Sequence, residues 1–399
     1  MTTTLPVPEQ THHEMPQPTP ASGPPPAPTR PSRGRRAAEL GVTALLAAAI
    51  ASGTTLAVDR TLADEGAPGT SPGPVVEGAN GATTDWSAVA ASVSPSVVSI
   101  GVSGQRGQGE GSGVVWDAEG HIVTNDHVVS GSGASAEVQV TLADGRTYDA
   151  IVTGTDPTTD LAVVRLTSPP TTLRPITRGD SETLTVGDPV MAIGNPLGLS
   201  GTVTTGIVSA LDRPVAAGQS RAREGLAQVT NAIQTSAPIN PGNSGGALVD
   251  AEGGLVGINS SIATLGSPGP FASGQAGNIG IGFAIPVAQV EGVVSQLIES
   301  GSVEHAYLGI STSDTSVRDG TSSVPGALVA ETVSDGPAAT EGLRSGDVIT
   351  AIDGAPVTSS RSLVGTIRAR AVGEQVELTV SRGSETVSVP VTLAAAPSR

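Results

Sequence analysis

The chain has 399 residues, a length typical of two or three domains, and a formal net charge of −17. Such an acidic chain is unsuited to binding nucleic acid, whose phosphates attract clustered basic side chains. The absence of Cys excludes disulfides, thiolate metal sites and a thiol nucleophile. With 52 Gly, 31 Pro and only 2% aromatic residues, the composition favours short strands joined by many turns.

The N-terminal part of the chain has three segments of different composition. Residues 1–36 are polar and rich in Pro, which predicts a disordered tail. Residues 40–58 contain no charged side chain and are about long enough for a helix to cross a bilayer. We therefore predict a transmembrane helix or signal anchor at 37–58, followed by a Gly- and Pro-rich linker at 59–84.

The charges around this apolar run predict its orientation. Arg residues precede it and acidic residues follow it, so the positive-inside rule places the N-terminus in the cytoplasm and the folded domains outside the cell. The prediction is therefore a single-pass protein of the cell membrane. Residues 49–51 also resemble a signal-peptidase site, and in that alternative the segment is cleaved.

Short segments of strand composition follow, separated by turns. They lie at 97–102, 113–116, 120–124, 137–142, 147–154 and 161–166. The glycine-rich run 105–113 predicts a turn between the first two strands. Because no long helical pattern alternates with these strands, the sequence favours a barrel or a sandwich over a parallel α/β sheet.

A serine lies between glycines in the run Gly242-Asn243-Ser244-Gly245-Gly246. Glycine permits φ > 0 and close approach of another chain, so this bend can expose the Ser244 hydroxyl. The amides of Gly242 and Ser244 can then point to the place where the oxyanion of an acyl-transfer intermediate forms. Taken alone, the run is also compatible with a glycine-rich surface turn or with the nucleophile elbow of an α/β-hydrolase.

Two residues earlier in the chain decide between these alternatives. His127 follows a predicted strand, and Asp160 directly precedes one. A nucleophilic serine needs a base within hydrogen-bond reach and a carboxylate that orients this base. His127, Asp160 and Ser244 supply these groups in the order of chymotrypsin-like enzymes, whereas the α/β-hydrolases have the order Ser, acid, His.

These segments resemble the HtrA (high-temperature-requirement A) family of serine proteases. The resemblance extends over residues 97–286 and rests on motifs at 124–129, 159–166, 194–198, 203–210, 233–248, 257–260 and 281–286. It implies a mainly β fold, with a chymotrypsin-like double six-stranded β-barrel at 85–288. It also implies that His127 is the general base, that Asp160 orients it and that Ser244 attacks.

The same resemblance implies an oxyanion hole formed by the amides of Gly242 and Ser244, with Asn243 between them. Residues 237–239 carry no charge, which argues against a trypsin-like preference for Arg or Lys. The resemblance implies cleavage beside small aliphatic residues of unfolded or damaged proteins. Four residues within the motifs at 233–248 and 257–260 are predicted to bind substrate: Ile239, Asn240, Ile258 and Asn259.

The C-terminal part resembles a bacterial PDZ domain of α+β type. Residues 287–300 have apolar side chains at helical spacing and predict a helix, and the linking segment between the domains is placed at 289–303. Residues 304–395 then contain the glycine-bearing segments of the resemblance. It implies that the loop Tyr307-Leu308-Gly309-Ile310 binds the C-terminal carboxylate of a peptide, which adds as a strand at the sheet edge.

The leading hypothesis is a membrane-anchored serine endopeptidase that degrades unfolded extracytoplasmic proteins and binds peptide C-termini at its PDZ domain. The family resemblance implies a homotrimer built through the protease domains. The sequence contains no metal-binding cluster and no phosphate-binding loop, so we predict no cofactor. The alternative is a PDZ-based peptide-binding adaptor or chaperone whose protease domain is latent or inactive.

Overall fold

A computed structural model describes residues 84–105, 107–133, 136–196, 201–217, 228–240, 242–260 and 280–397. The predicted tail, the predicted transmembrane segment and all but the last residue of the predicted linker lie outside these ranges. Within the described ranges, no helix is long and apolar enough to cross a membrane.

The described chain begins with helix α1 (Trp86–Val93), which is followed by a single 3₁₀ turn at Ser94–Ser96. The carboxylate of Asp85 accepts hydrogen bonds from two amides of the first turn of α1, which satisfies donors that the helix itself leaves unpaired. The buried face of α1 packs into the apolar core that joins the two barrels described below.

Six antiparallel strands close the first barrel in the order β1-β2-β3-β6-β5-β4. They are β1 (Val97–Gly104), β2 (Gly107–Val115), β3 (His121–Thr124), β4 (Glu137–Thr141), β5 (Thr147–Asp156) and β6 (Leu161–Leu166). A short helix, α2 (Asp126–Ser130), follows β3. Aliphatic side chains fill the barrel, as the near absence of aromatic residues predicts.

The predicted turn at 105–113 is wrong, because most of it belongs to strand β2 (Gly107–Val115). Gly113 faces the barrel interior, where an added Cβ would lie 2.7 Å from both Ile100 and Ile122. Glycine therefore provides room for core side chains at this position and does not mark a turn.

The second barrel closes in the order β10-β11-β12-β9-β8-β7. Its strands are β7 (Pro189–Gly194), β8 (Thr202–Ala217), β9 (Gln228–Thr235), β10 (Ala247–Val249), β11 (Leu255–Ser260) and β12 (Gly282–Pro286). One apolar cluster contains Val114 and Leu161 of the first barrel together with Ile193 and Ile258 of the second. The predicted mainly β fold with two six-stranded barrels is confirmed.

Helix α3 (Val287–Ser300) links the barrels to the last domain. Its apolar face, which includes Val290, Val294 and Leu297, packs into the cluster shared by the two barrels. Gly301 ends the helix with φ of +75°, and its amide donates to the carbonyl of Leu297. The helix has the bounds at which the apolar spacing predicts it, and it follows β12 without an intervening loop.

The last domain has a sheet with the strand order β14-β15-β16-β18-β19, a short strand beside β16 and a separate two-stranded pair. Its strands are β13 (Ala306–Tyr307), β14 (Ile310–Asp319), β15 (Ser322–Thr332), β16 (Val348–Ile352), β17 (Ala355–Pro356), β18 (Gln375–Arg382), β19 (Glu385–Thr392) and β20 (Ala394–Ala395). Its helices are α4 (Pro337–Thr340) and α5 (Ser360–Arg368). These elements enclose a core of their own.

Helix α5 lies against β8 and β9 of the second barrel. Asn231 on β9 donates a hydrogen bond from Nδ2 to Thr366 Oγ1 on α5, at 2.9 Å. Gly365 leaves room for this approach, because a Cβ there would overlap Asn231. The C-terminal domain is thus packed directly on the double barrel.

Candidate active site

His127 lies on α2, directly after strand β3. The preceding Asn125 is buried and donates a hydrogen bond from Nδ2 to the backbone oxygen of Asp160, at 3.0 Å. The amide of Asp126 donates to the same oxygen at 3.1 Å. Two hydrogen bonds therefore fasten the turn that carries His127 to the backbone of Asp160.

Asp160 lies directly before β6, as predicted, and is only 3% exposed. Its carboxylate oxygens lie 2.9 and 3.0 Å from His127 Nδ1. Because an ionised carboxylate only accepts hydrogen bonds, Nδ1 carries the proton and Nε2 is the basic nitrogen. Asp160 has φ of +61°, a strained backbone conformation that persists mainly where the neighbouring structure fixes it.

Ser260, at the end of β11, supplies a further hydrogen bond to Asp160. Its Oγ donates to Asp160 Oδ2 at 3.0 Å, and both residues are buried. The sequence signals no such role, because Ser260 differs from the many other serines only in closing the 257–260 motif. The contact joins the second barrel to the carboxylate of the first.

Ser244 lies in the bend before β10 and is 3% exposed. The glycines on its two sides take positive φ values, +100° at Gly242 and +82° at Gly245. A Cβ on Gly245 would overlap both the carbonyl of Ser112 on β2 and the hydroxyl of Thr124 at the end of β3. The bend that carries Ser244 is therefore packed against the strand end from which the His127 helix departs.

Three amides of this bend are hydrogen-bonded within the protein. Asn243 donates to the carbonyl of Asn240, Gly246 donates to Asn243, and Gly245 donates to Asn259. None of the three is an amide that the family resemblance assigns to the oxyanion hole. This network fixes the backbone on both sides of Ser244.

The four predicted substrate-binding residues lie around the same bend. Ile239 and Ile258 are buried in the apolar clusters, whereas Asn240 is exposed. Asn259 is buried, donates from Nδ2 to the carbonyl of Ala247 at 2.8 Å and exchanges backbone hydrogen bonds with the bend. The structure thus shows Asn259 supporting the bend, and contact of the four residues with substrate stays a prediction.

The predicted carboxylate-binding loop forms one end of a cavity of about 210 Å³ between β14 and α5. The carbonyls of Leu308 and Gly309 accept hydrogen bonds from the amides of Ala338 and Val333. Because the peptide bonds are trans, the amides of Gly309 and Ile310 point the opposite way from these carbonyls. Apolar side chains of the loop and of α5 line the cavity, as expected of a peptide groove.

A carboxylate of the first barrel reaches the segment just before this loop. Asp156, at the end of β5, accepts a hydrogen bond from His305 Nε2 at 3.0 Å and another from Thr159 Oγ1. Burial raises the pKa of Asp156, but His305, Thr159 and the amide of Thr158 together bring it below its ordinary value. Within the described ranges, no cluster of three or more His, Asp or Glu side chains offers a metal site.

Comparison with known proteins identifies two families within the chain. Residues 111–258 match the family described as "Trypsin-like peptidase domain", and residues 306–393 match the family described as "PDZ domain". The chain is 43% identical over 371 residues to "Serine protease PepD" of Mycobacterium tuberculosis, which covers 89% of this chain and 78% of PepD.

Two further proteins to which the chain is similar are also named as proteases. The chain is 40% identical over 288 residues to "Periplasmic serine endoprotease DegP" of Salmonella typhimurium, covering 71% of this chain and 56% of DegP. A solved structure of the HtrA-type protease AlgW with a tripeptide has a TM-score of 0.58 and 34% identity, over 79% of this chain and 98% of AlgW.

These relatives are named as proteases and match most of this chain, so they favour the enzyme over the adaptor. The fold, the domain matches and the identities lead to the same assignment as the sequence motifs. The chain belongs to the HtrA family of serine proteases.

Proposed function

We propose that His127, Asp160 and Ser244 are the catalytic residues of this serine endopeptidase. The observation that carries the proposal is the pair of contacts at 2.9 and 3.0 Å between His127 Nδ1 and the buried Asp160 carboxylate. It fixes the imidazole in the tautomer whose Nε2 can accept the proton of a serine. The bend that presents Ser244 packs against the end of the strand that precedes His127. This packing supports Ser244 as the third residue of the triad.

The reaction then has two halves. His127 takes the proton of Ser244 Oγ as this oxygen attacks the scissile carbonyl, and the amides of Gly242 and Ser244, with Asn243 between them, stabilise the oxyanion. His127 next donates the proton to the leaving amine, which leaves an acyl-enzyme. Water, activated by the same imidazole, attacks the ester and releases Ser244.

The uncharged residues 237–239 argue against a preference for Arg or Lys, and the family resemblance supplies the substrate class. We propose cleavage beside small aliphatic residues in unfolded proteins, with Ile239, Asn240, Ile258 and Asn259 bordering the bound chain. The C-terminal domain binds peptide C-termini through the loop at Tyr307-Leu308-Gly309-Ile310. The amides of Gly309 and Ile310, which point away from the hydrogen-bonded carbonyls of the loop, and the apolar side chains of the adjoining cavity support the assignment.

The test of the triad uses unfolded casein and the full chain. Ser244→Ala is expected to abolish hydrolysis, while Ser168→Ala, which changes an exposed serine, leaves the rate unchanged. Undiminished turnover by Ser244→Ala would refute the proposed nucleophile.

The placement of the protein outside the cytoplasm is supported by relatives named periplasmic endoproteases and by the charges around residues 40–58. We propose that 37–58 anchors the protein in the membrane, with the protease domain at 85–288 and the PDZ domain at 304–395 outside it. We also propose a homotrimer, as the family resemblance implies.

Membrane fractionation tests the anchor. Full-length protein is expected to stay in the membrane pellet after alkaline carbonate extraction, whereas a chain that begins at residue 59 is released. A soluble full-length product with a new N-terminus near residue 51 would instead show that the segment is a cleaved signal.

A further inference from the structure

We propose that Ser112 is a positioning residue that holds the oxyanion hole in its reactive shape from the opposite barrel. Ser112 lies on β2 of the first barrel, whereas Gly242 and Ser244 belong to the bend before β10 of the second. The inference rests on the proposed function, because it takes the amides of Gly242 and Ser244 as the oxyanion donors.

Ser112 is fully buried and makes two hydrogen bonds to the bend. Its Oγ donates to the carbonyl of Gly242 at 2.6 Å, and its amide donates to the carbonyl of Ser244 at 2.8 Å. These contacts fix the peptide group that follows Gly242 and the peptide group that follows Ser244. The Ser244 amide lies between the two restrained groups.

The direction of the Oγ hydrogen bond is settled by a third contact. The amide of Asn195, just after β7, lies 2.8 Å from Ser112 Oγ and can only donate. Ser112 Oγ therefore accepts from Asn195, and its single hydrogen is committed to the carbonyl of Gly242. A buried hydroxyl with both roles satisfied holds its partners in place, whereas an unpaired one would be costly.

Gly242 is the residue of the bend that most needs such restraint. Its φ of +100° is open to glycine, and a glycine backbone can rotate among many conformations at little steric cost. A rotation at Gly242 would turn the adjoining peptide groups and misdirect the oxyanion donors. The hydroxyl of Ser112 opposes that rotation at the carbonyl of Gly242.

The residues around Ser112 explain how β2 comes so close to the bend. Gly111 faces the first barrel, and an added Cβ there would lie 2.7 Å from the side chain of Val128. Gly113 likewise faces the barrel core. Because side chains alternate along a strand, Ser112 points the other way, toward the second barrel.

Loss of the Ser112 hydroxyl should therefore weaken the stabilisation of the transition state more than it weakens the binding of substrate. The oxyanion bears full charge only as the tetrahedral intermediate forms, so the alignment of its donors matters most at that stage. A defect in core packing, in contrast, would lower stability and weaken substrate binding as well.

The test compares full-length wild type with Ser112→Ala. We expect kcat/KM for a peptide substrate to fall by about 10- to 100-fold, less than the roughly 10²–10³-fold cost of losing a direct oxyanion donor. The affinity for a peptide boronate, whose adduct places an oxygen in the hole, should fall by a similar factor. Binding of the uncleaved substrate peptide, measured in the Ser244→Ala background, should change less than about twofold.

Ser99→Ala is the matched control, because Ser99 pairs with Ser112 on the neighbouring strand and is also buried, at 7% exposed. Its hydroxyl makes a long contact of 3.4 Å, to the carbonyl of Pro196. Ser99→Ala should leave both kcat/KM and the affinity for the peptide boronate unchanged. Ser112→Cys retains a weak donor and should show an intermediate loss. If Ser112→Ala does not fold, the cysteine variant carries the same comparison.

Unchanged kcat/KM in Ser112→Ala would overturn the inference. So would an equal loss of boronate affinity and of substrate affinity, since that pattern reports a general defect. If wild type itself binds no boronate and turns over no substrate, the proposed active site fails, and this inference fails with it.

Discussion

His305 donates a hydrogen bond from Nε2 to Asp156 Oδ1, over 3.0 Å. His305 lies two residues before Tyr307, where the predicted carboxylate-binding loop starts, and Asp156 lies four residues before Asp160. The Asp156 carboxylate also accepts the hydroxyl hydrogen of Thr159, the immediate neighbour of Asp160. One buried carboxylate thus connects the start of the PDZ domain to the loop that carries the proposed catalytic aspartate. Neither side chain is more than 14% exposed.

The pKa of Asp156 lies below its ordinary value of 3.8, which gives the first prediction. A carboxyl whose pKa is depressed by folding contributes stability that is complete above the ordinary value and is lost as the pH falls through the depressed one. Below pH 3.8, the wild type should therefore lose unfolding free energy faster than Asp156→Asn.

Thermal unfolding across this acid range measures the difference. At neutral pH, Asp156→Asn should be less stable by about 1.5–3 kcal/mol, as expected for a hydrogen bond to a charged group. Burial raises the pKa of Asp347, but the hydrogen bonds from Arg382 and from the amide of Arg344, together with the charges of both arginines, bring it below its ordinary value. This contribution is common to both proteins and cancels. Parallel curves for the two proteins would contradict the prediction.

Ser260→Ala tests the hydrogen bond that the second barrel gives to Asp160. Without it, the carboxylate loses one of its fixed partners and orients the imidazole of His127 less well. We expect kcat to fall about tenfold, equivalent to ~1.4 kcal/mol, with little change in KM. Steady-state kinetics on a peptide substrate check this, and an unaltered kcat would show that the contact is dispensable.

Gly245→Ala tests the packing of the bend, and Gly342→Ala is its control. Both glycines have φ near +80°, but a Cβ at Gly245 would overlap Ser112 and Thr124, whereas one at Gly342 meets open space. Gly342→Ala should cost only the backbone strain, about 1–3 kcal/mol, and retain activity. Gly245→Ala should lower the free energy of unfolding by more than this and abolish hydrolysis. If the two variants lose equal stability and equal activity, the predicted packing of Gly245 is refuted.

The peptide groove is tested with Val364→Glu, which places a charge in the apolar cavity on α5. Arg361→Glu, on the exposed face of the same helix, is the control. Fluorescence anisotropy should show that a peptide with a free, apolar C-terminus binds wild type and the control at least tenfold more tightly than Val364→Glu. An amidated peptide that binds wild type as well as the free acid does would exclude carboxylate recognition.

The sequence predicts the residues whose chemistry is rare and misses those whose role depends on long-range contact. His127 and Asp160 stand out because they flank strands and complete an ordered set with Ser244. Ser112 and Ser260 are two serines among many, and their partners lie 130 and 100 positions away in the chain. No periodicity along the sequence encodes such contacts.

Prediction of the strands is limited in the same way, because local pattern does not encode long-range contacts. Their composition predicts most of the first barrel, because aliphatic residues bounded by turn residues are a local signal. The glycines of β2 lead to the wrong prediction of a turn, because at Gly111 and Gly113 they make room for side chains of other elements. The contact of His305 with Asp156 likewise depends on how two domains pack, which local pattern does not determine.

The central claim is that His127, held by Asp160, activates Ser244. The most direct measurement is mass-spectrometric mapping of a fluorophosphonate adduct on full-length protein, since only an activated serine reacts rapidly with this probe. The account predicts one adduct, on Ser244, that disappears in Ser244→Ala and forms far more slowly in His127→Ala. An adduct on another serine, or equal labelling rates in wild type and His127→Ala, would contradict it.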